Sequence, residues 1–213
     1  MLGKKKILIL SPHTDDAELG AGGTISKLIA DGADVKWIVF STAEESLPKN
    51  LNKNILKLEF LEVVKNLNLN LNKIKICKFP VRKLHNYRQE ILEILVEFRA
   101  NFNPDLVIGP SLYDFHQDHK IIANEMVRAY KNNSSIICYE LPWNHINFST
   151  NLFVKLGSKE LNKKIELLNL YNSQILKKRK YFSPDFVRGL ALTRGVQCNY
   201  LYAEAFEVIR WMM

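Results

Sequence analysis

Ile7-Leu8-Ile9-Leu10-Ser11-Pro12-His13-Thr14-Asp15-Asp16 decides how the chain is read. Four consecutive branched apolar residues bounded by Ser-Pro suit a strand buried on both faces. Directly after it come an imidazole and two carboxylates. Glu18, Gly20, Gly22 and Gly23 follow, opening a helical pattern through Ala30. Titratable side chains at the carboxyl end of a buried strand are the usual setting of an active site in an open α/β sheet.

Outward from this point the pattern alternates. Apolar runs at Lys5–Leu10, Val35–Ser41, Ile74–Phe79, Asp105–Gly109, Ile136–Leu141 and Ala203–Ile209 read as strands. Helical periodicity occupies Leu19–Ala30, Leu51–Leu67, Leu84–Phe102, Asp118–Tyr130 and Lys159–Leu176. Repeated βα units predict an α/β fold with a mostly parallel sheet flanked by helices on both faces. Residues 144–196 are less regular and read either as a rim or lid over the site or as a peripheral helix pair. There Ser183-Pro184-Asp185 predicts a turn into a short helix through Arg194, closed by Gly195. The Asn-rich stretch Asn66–Asn72 reads as a loop.

At 213 residues and 47% hydrophobic content, the chain suits one domain, 1–213, with a full core. No stretch is long and apolar enough for a transmembrane segment. Basic Met1–Lys6 leads into an apolar run too short, and without the small-residue site, for a signal peptide. Cys77, Cys138 and Cys198 form no Cys-x-x-Cys pair, which argues against a thiolate zinc site and suits a cytoplasmic, reducing setting. The formal charge of +8 favours acidic partners. Its one dense cluster, Lys177-Lys178-Arg179-Lys180, reads as a solvated helix end in preference to a nucleic-acid patch.

A second polar string, His116-Gln117-Asp118-His119, follows another apolar run, Leu106-Val107-Ile108-Gly109-Pro110. Neutral imidazole and carboxylate both bind a borderline metal, and His13 with Asp16 can meet one ion, with His119 as third ligand. Asp15 cannot easily point the same way, which frees it to act as a base on water. His116 is placed to face the reacting group. Asp118 is expected to orient a neighbouring imidazole and hold it charged, so that it stabilises an oxyanion. Taken singly these residues have plainer readings: a turn histidine for His13, a helix N-cap for Asp15 or Asp16, a surface helix start for His116 to His119. His85 reads as surface or capping. His145, in Pro142-Trp143-Asn144-His145, lines the pocket or is structural.

At these residues the sequence resembles the PIG-L (LmbE-like) family of zinc-dependent N-acetylglucosamine de-N-acetylases. The family's opening Pro-His-Pro-Asp-Asp stands here as Pro12-His13-Thr14-Asp15-Asp16, and its His-Pro-Asp-His as His116-Gln117-Asp118-His119. Tyr202-Ala203-Glu204-Ala205-Phe206 is similar to its closing strand. The resemblance implies a Rossmann-like sheet, Zn2+ (or another divalent transition metal) on His13, Asp16 and His119, and Asp15 as general base. It further implies His116 at the oxyanion with Asp118 as its support, and Arg82 holding substrate oxygens. Glu44 either borders the pocket or is a solvated glutamate. Thr14 and Gln117 replace the usual prolines at positions that supply no ligand. The implied reaction is removal of an N-acyl, most simply N-acetyl, group from an amino sugar, with phosphate- or nucleotide-linked sugars among the substrates the net charge would suit. A homo-oligomer is compatible with the sequence.

Two other readings compete. Gly20-Ala21-Gly22-Gly23 invites a non-catalytic Rossmann-like nucleotide-binding protein, but the Gly-x-Gly-x-x-Gly spacing is absent. Asp15 and Asp16 invite a magnesium-dependent phosphohydrolase, but histidines around the site argue for a softer metal.

Overall fold

The computed structural model describes residues 5–48 and 51–212. Of the basic leader Met1–Lys6, the first four residues lie outside that range. The described elements run β1 (Lys6–Ser11), α1 (Asp16–Ala30), β2 (Asp34–Val39), α2 (Ile55–Asn66), β3 (Ile74–Ile76), α3 (Arg88–Phe102) and β4 (Leu106–Gly109). They continue with α4 (Gln117–Tyr130), β5 (Ser135–Tyr139), β6 (Leu152–Leu156), α5 (Ser158–Asn169), α6 (Asn172–Ile175), α7 (Pro184–Gln197) and β7 (Tyr202–Arg210).

One seven-stranded sheet has the order β3-β2-β1-β4-β5-β7-β6. The first five strands pair in parallel, and β7 runs antiparallel to both β5 and β6. The chain order reverses at β1, which lies between β2 and β4. Connections from β1 and β4 therefore depart to opposite faces and leave a crevice at their carboxyl ends.

Alternation along β1 builds two cores. Ile7 and Ile9 pack with α1, α2, α5 and α7 on one face, and Leu8 and Leu10 pack with α3 and α4 on the other. All four are fully buried, each contributing about 1.5–3 kcal/mol relative to exposure. This central strand anchors the His13–Asp16 turn that follows it.

The structure departs from the expected elements where tertiary contacts outweigh local pattern. The Leu84–Phe102 helix divides into a 3-10 turn, Leu84–Tyr87, and α3. The Lys159–Leu176 helix breaks between α5 and α6 at Tyr171, whose hydroxyl is held at the site floor by Thr14 and Glu18. β6 joins the sheet edge inside the irregular stretch and pairs only with β7. Ser183 caps α7 as expected, accepting the Phe186 N–H. Gly195 does not close that helix. It lies within it, where a Cβ would stand 2.6 Å from the Leu201 and Tyr200 carbonyl oxygens. Among the described residues no helix is long and apolar enough to cross a membrane. Cys77 and Cys138 are buried free thiols, and Cys198 is free and partly buried.

Candidate active site

The turns after β1 and β4 meet across the crevice. His13 Nδ1 lies 3.1 Å from Asp16 Oδ2. His119 Nε2 lies 3.1 Å from the same oxygen and 3.3 Å from His13 Nδ1. Two nitrogens and one oxygen thus form a near-equilateral triangle from segments far apart in the chain. Ligands about 2.0–2.1 Å from a tetrahedral ion are separated by about 3.3 Å, so the triangle fits one face of a zinc site. His13, His116 and His119 also offer nitrogens within 4.8 Å of one another. That set is looser, and Nδ1 of His116 is already engaged in capping α4.

Carboxylates stand behind both of these histidines. His13 Nε2 pairs with Asp118 Oδ2 at 3.0 Å, and His119 Nδ1 with Asp114 Oδ2 at 2.6 Å. Such outer partners fix imidazole orientation and tautomer at metal sites. Asp118 Oδ2 also accepts the Arg82 backbone N–H at 2.6 Å, and its Oδ1 the Leu84 N–H at 3.3 Å. Burial opposes ionisation of Asp118, yet the bonds from His13 and Arg82 hold its carboxyl below the usual range.

This corrects one expectation: Asp118 supports His13, not His116. His116 is the N-cap of α4, and its Nδ1 accepts the Asp118 backbone N–H at 3.2 Å. An accepting Nδ1 means a neutral ring with its proton on Nε2. Burial, then the neighbouring His119 and His13, push His116 down to about 4. The expected charged imidazole is therefore a neutral donor.

Charge in the rest of the cluster follows the same logic. Burial works against protonation of His13 and His119, but Asp16 and their hydrogen-bond partners outweigh it. The two imidazoles rise to about 9 and about 10. Burial likewise opposes the Asp16 carboxylate, and His119 with His13 overcomes it, holding Asp16 well below the ordinary range. Asp15 goes the other way: burial and the Asp16 charge raise it to about 6. Asp15 sits at the N-cap position of α1, yet its side chain makes no capping bond. The helix-cap reading of this carboxylate is thus excluded.

The floor is braced from a distance. Tyr171 Oη lies 2.6 Å from both the Thr14 carbonyl oxygen and Glu18 Oε1. Burial pushes the Glu18 carboxyl well above its ordinary range, against the hydrogen bond from Tyr171.

His13, Asp15, Asp16, His116 and His119 line one cavity of about 230 Å3. Its wall also includes Trp143, Asn144, Gln174, Lys177, Arg179 and Tyr181. All but Trp143, which immediately precedes it, come from the irregular stretch, and Lys177 and Arg179 belong to the cluster expected to be a solvated helix end. The sequence offered this stretch as a rim or lid but not its individual wall residues, because nothing local marks which side chains of a folded-back loop reach a distant strand end. Other candidates lie elsewhere. Arg82 is exposed, its backbone sits in the left-handed region at φ 67°, and Val81 rather than Arg82 lines the cavity. Glu44 borders a neighbouring cavity. His85 is exposed. His145 is half-buried with its side chain covered, stacks on Phe148 at 4.9 Å, and lies 3.9 Å from Asp114 Oδ2 behind the site.

The chain is similar to known proteins over nearly its whole length. The chain is 25% identical over 224 residues to the diacetylchitobiose deacetylase of Thermococcus kodakarensis, covering 96% of this chain and 83% of the relative. The solved N,N'-diacetylchitobiose deacetylase from Pyrococcus horikoshii superposes with a TM-score of 0.80 at 21% identity, over 97% of this chain and 84% of its own. GalB, the 4-carboxy-2-hydroxymuconate hydratase of Pseudomonas putida KT2440, superposes with a TM-score of 0.75 at 18% identity over 98% of each chain. One fold thus hosts different reactions, and the site must select the chemistry. Residues 8–130, which contain both metal-type motifs, match the family described as PIG-L: GlcNAc-PI de-N-acetylase, and the chain belongs to the PIG-L family.

Proposed function

We propose that this protein is a metal-dependent amide hydrolase that removes an N-acyl group, most simply N-acetyl, from an amino sugar. One observation carries the reading. Three ligand-type atoms, Nδ1 of His13, Oδ2 of Asp16 and Nε2 of His119, meet within 3.3 Å beside an uncommitted carboxylate. Residues 1–213 are read as one deacetylase domain. Nitrogen donors in this number favour zinc over magnesium, which prefers oxygen ligands.

His13, Asp16 and His119 would hold the ion, oriented by Asp118 and Asp114. Zinc, when bound, supplies Lewis acidity toward the amide carbonyl and lowers the pKa of water. Asp15 accepts the proton of the attacking water, a role suited to a carboxyl raised to about 6. The Nε2–H of neutral His116 donates to the carbonyl oxygen as negative charge gathers on it. Asp15 then passes its proton to the amine nitrogen as the C–N bond breaks. The products are a free amino sugar and a carboxylate.

The test is release of acetate from N-acetylglucosamine substrates by zinc-loaded protein and by Asp15→Asn. The variant keeps fold and zinc but loses nearly all turnover. Substantial hydrolysis by Asp15→Asn would remove the general-base assignment.

A further inference from the structure

The segment between α5 and α7 is pinned at both ends. Tyr171 is tied to the site floor, and the backbone N–H and hydroxyl of Ser173 both donate to Glu59, at 2.7 and 2.6 Å. At the far end Phe182 is buried and Ser183 caps α7. Between these anchors Lys178 takes a left-handed conformation, φ 53°. Lys177, half-buried, and Arg179, exposed, both line the cavity, whereas the exposed Lys178 and Lys180 do not.

Among the described residues neither Lys177 nor Arg179 pairs with a carboxylate within 4.0 Å. Arg179 donates from Nη1 to the Tyr181 hydroxyl. Its guanidinium also stands 5.7 Å from that ring. Burial and the adjacent Arg179 lower the Lys177 ammonium, against the weaker pull of Asp15 and Glu59. Two neighbouring cations on one wall of the cavity, one half-buried and one exposed, held by a preformed loop, suit an anion with more than one charge. Arg supplies a planar fork and Lys a point charge.

From this placement we propose that Lys177 and Arg179 form an anion subsite that takes a phosphoryl group carried by the N-acyl sugar. The inference rests on the deacetylase reading and narrows its substrate class. A carboxylate brings one charge, which Arg179 alone could match. A phosphoryl group brings about −1.5 to −2 and three acceptor oxygens, which engage both residues. Trp143 and Tyr181, stacked at 4.0 Å on the same wall, offer the sugar an apolar face. The cavity of about 230 Å3 is smaller than the roughly 300–1,000 Å3 of drug-sized pockets. It suits one sugar ring, with the phosphoryl group at the mouth.

The experiment compares kcat/KM for N-acetylglucosamine 1-phosphate, unmodified N-acetylglucosamine and an N-acetylglucosaminide with a carboxylate aglycone. It uses the zinc-loaded wild type and the Lys177→Gln/Arg179→Gln double variant. The wild type is expected to prefer the phosphorylated sugar, and the double variant to lose about ten-fold or more of that preference. Added salt should also erode the preference in the wild type. No phosphoryl preference in the wild type, a preference that survives both substitutions, or a preference for the carboxylate glycoside would overturn the subsite. Calorimetric binding of N-acetylglucosamine 1-phosphate to Asp15→Asn and to Asp15→Asn/Lys177→Gln/Arg179→Gln reads it without turnover. If no sugar is hydrolysed, the deacetylase reading fails alone. Affinity lost with the two cations still supports the subsite, and affinity that does not depend on them rejects it.

Discussion

Nδ1 of His13 and Nε2 of His119 lie 3.3 Å apart although 106 residues separate them in the chain. Two neutral imidazoles that turn lone pairs toward each other at this distance repel. A shared proton or a cation relieves the repulsion, and Asp16 Oδ2, 3.1 Å from both, completes the cradle. Metal binding and protonation therefore compete for the same atoms.

His119→Ala removes one proposed ligand and the imidazole partner of Asp114, which keeps the His116 N–H. The purified variant is expected to contain no stoichiometric zinc by elemental analysis. His116→Gln, which alters a cap and cavity donor, is expected to retain zinc while kcat falls by about 10²-fold or more, the typical loss for an oxyanion donor. Zinc lost equally in both would place His116 among the ligands.

Asp118→Asn and Asp114→Asn test the carboxylates behind the ligand histidines. Each should weaken zinc binding or activity by about 10–100-fold. Competition with a chromogenic chelator measures it. An unchanged affinity in both would mean that these bonds serve packing alone.

The pH dependence has a definite sign. His13 and His119 in the metal-free protein rise from 6.5 to about 9 and about 10. The stability they contribute is fully present below about 6.5 and is lost as pH rises through 9 to 10. Zinc displaces these protons, so loading at pH 7.5 releases protons, and the gain in Tm on loading widens from pH 7 to pH 9. Calorimetry in buffers of different ionisation enthalpy counts the protons. A gap in Tm that narrows over that range would contradict the assignment.

Tyr171→Phe deletes the hydroxyl that reaches Thr14 and Glu18 under the site. Leaving those buried groups short of a partner should cost about 1–3 kcal/mol, read as a lower urea midpoint. A midpoint within error of the wild type would remove Tyr171 from the bracing of the floor.

Gly195→Ala would set a Cβ 2.6 Å from the Leu201 and Tyr200 carbonyl oxygens, where backbone rather than a flexible side chain must yield. Overpacking of this kind costs about 1–3 kcal/mol. Gly189→Ala, with open space at its Cβ, is the matched control and should be neutral or slightly stabilising.

Much of this candidate site was legible because its ligand-type residues sit in short strings tied to strong strand signals. Ile7–Leu10 and Leu106–Gly109 announce buried strands, and the polar residues after each cannot be explained as caps alone. Asp118 was found but joined to the wrong histidine. Its own backbone N–H caps onto His116, while its carboxylate reaches across the crevice to His13. Asp114 carries no mark in sequence, since a lone aspartate in a loop reads as a turn residue. Arg82 follows the expected strand end, yet its left-handed backbone presents an N–H to Asp118 and leaves the side chain exposed.

Hydrophobic period and residue type, which are local, determined the parallel α/β architecture, the two metal-type motifs and the spare carboxylate at Asp15. Only the tertiary structure decided that nitrogens 106 residues apart share one cradle. It also decided that His116 is neutral and that the Lys177–Arg179 loop covers the mouth. Those outcomes depend on how far burial and distant charges shift each group, and both arise only once the sheet brings its strand ends together.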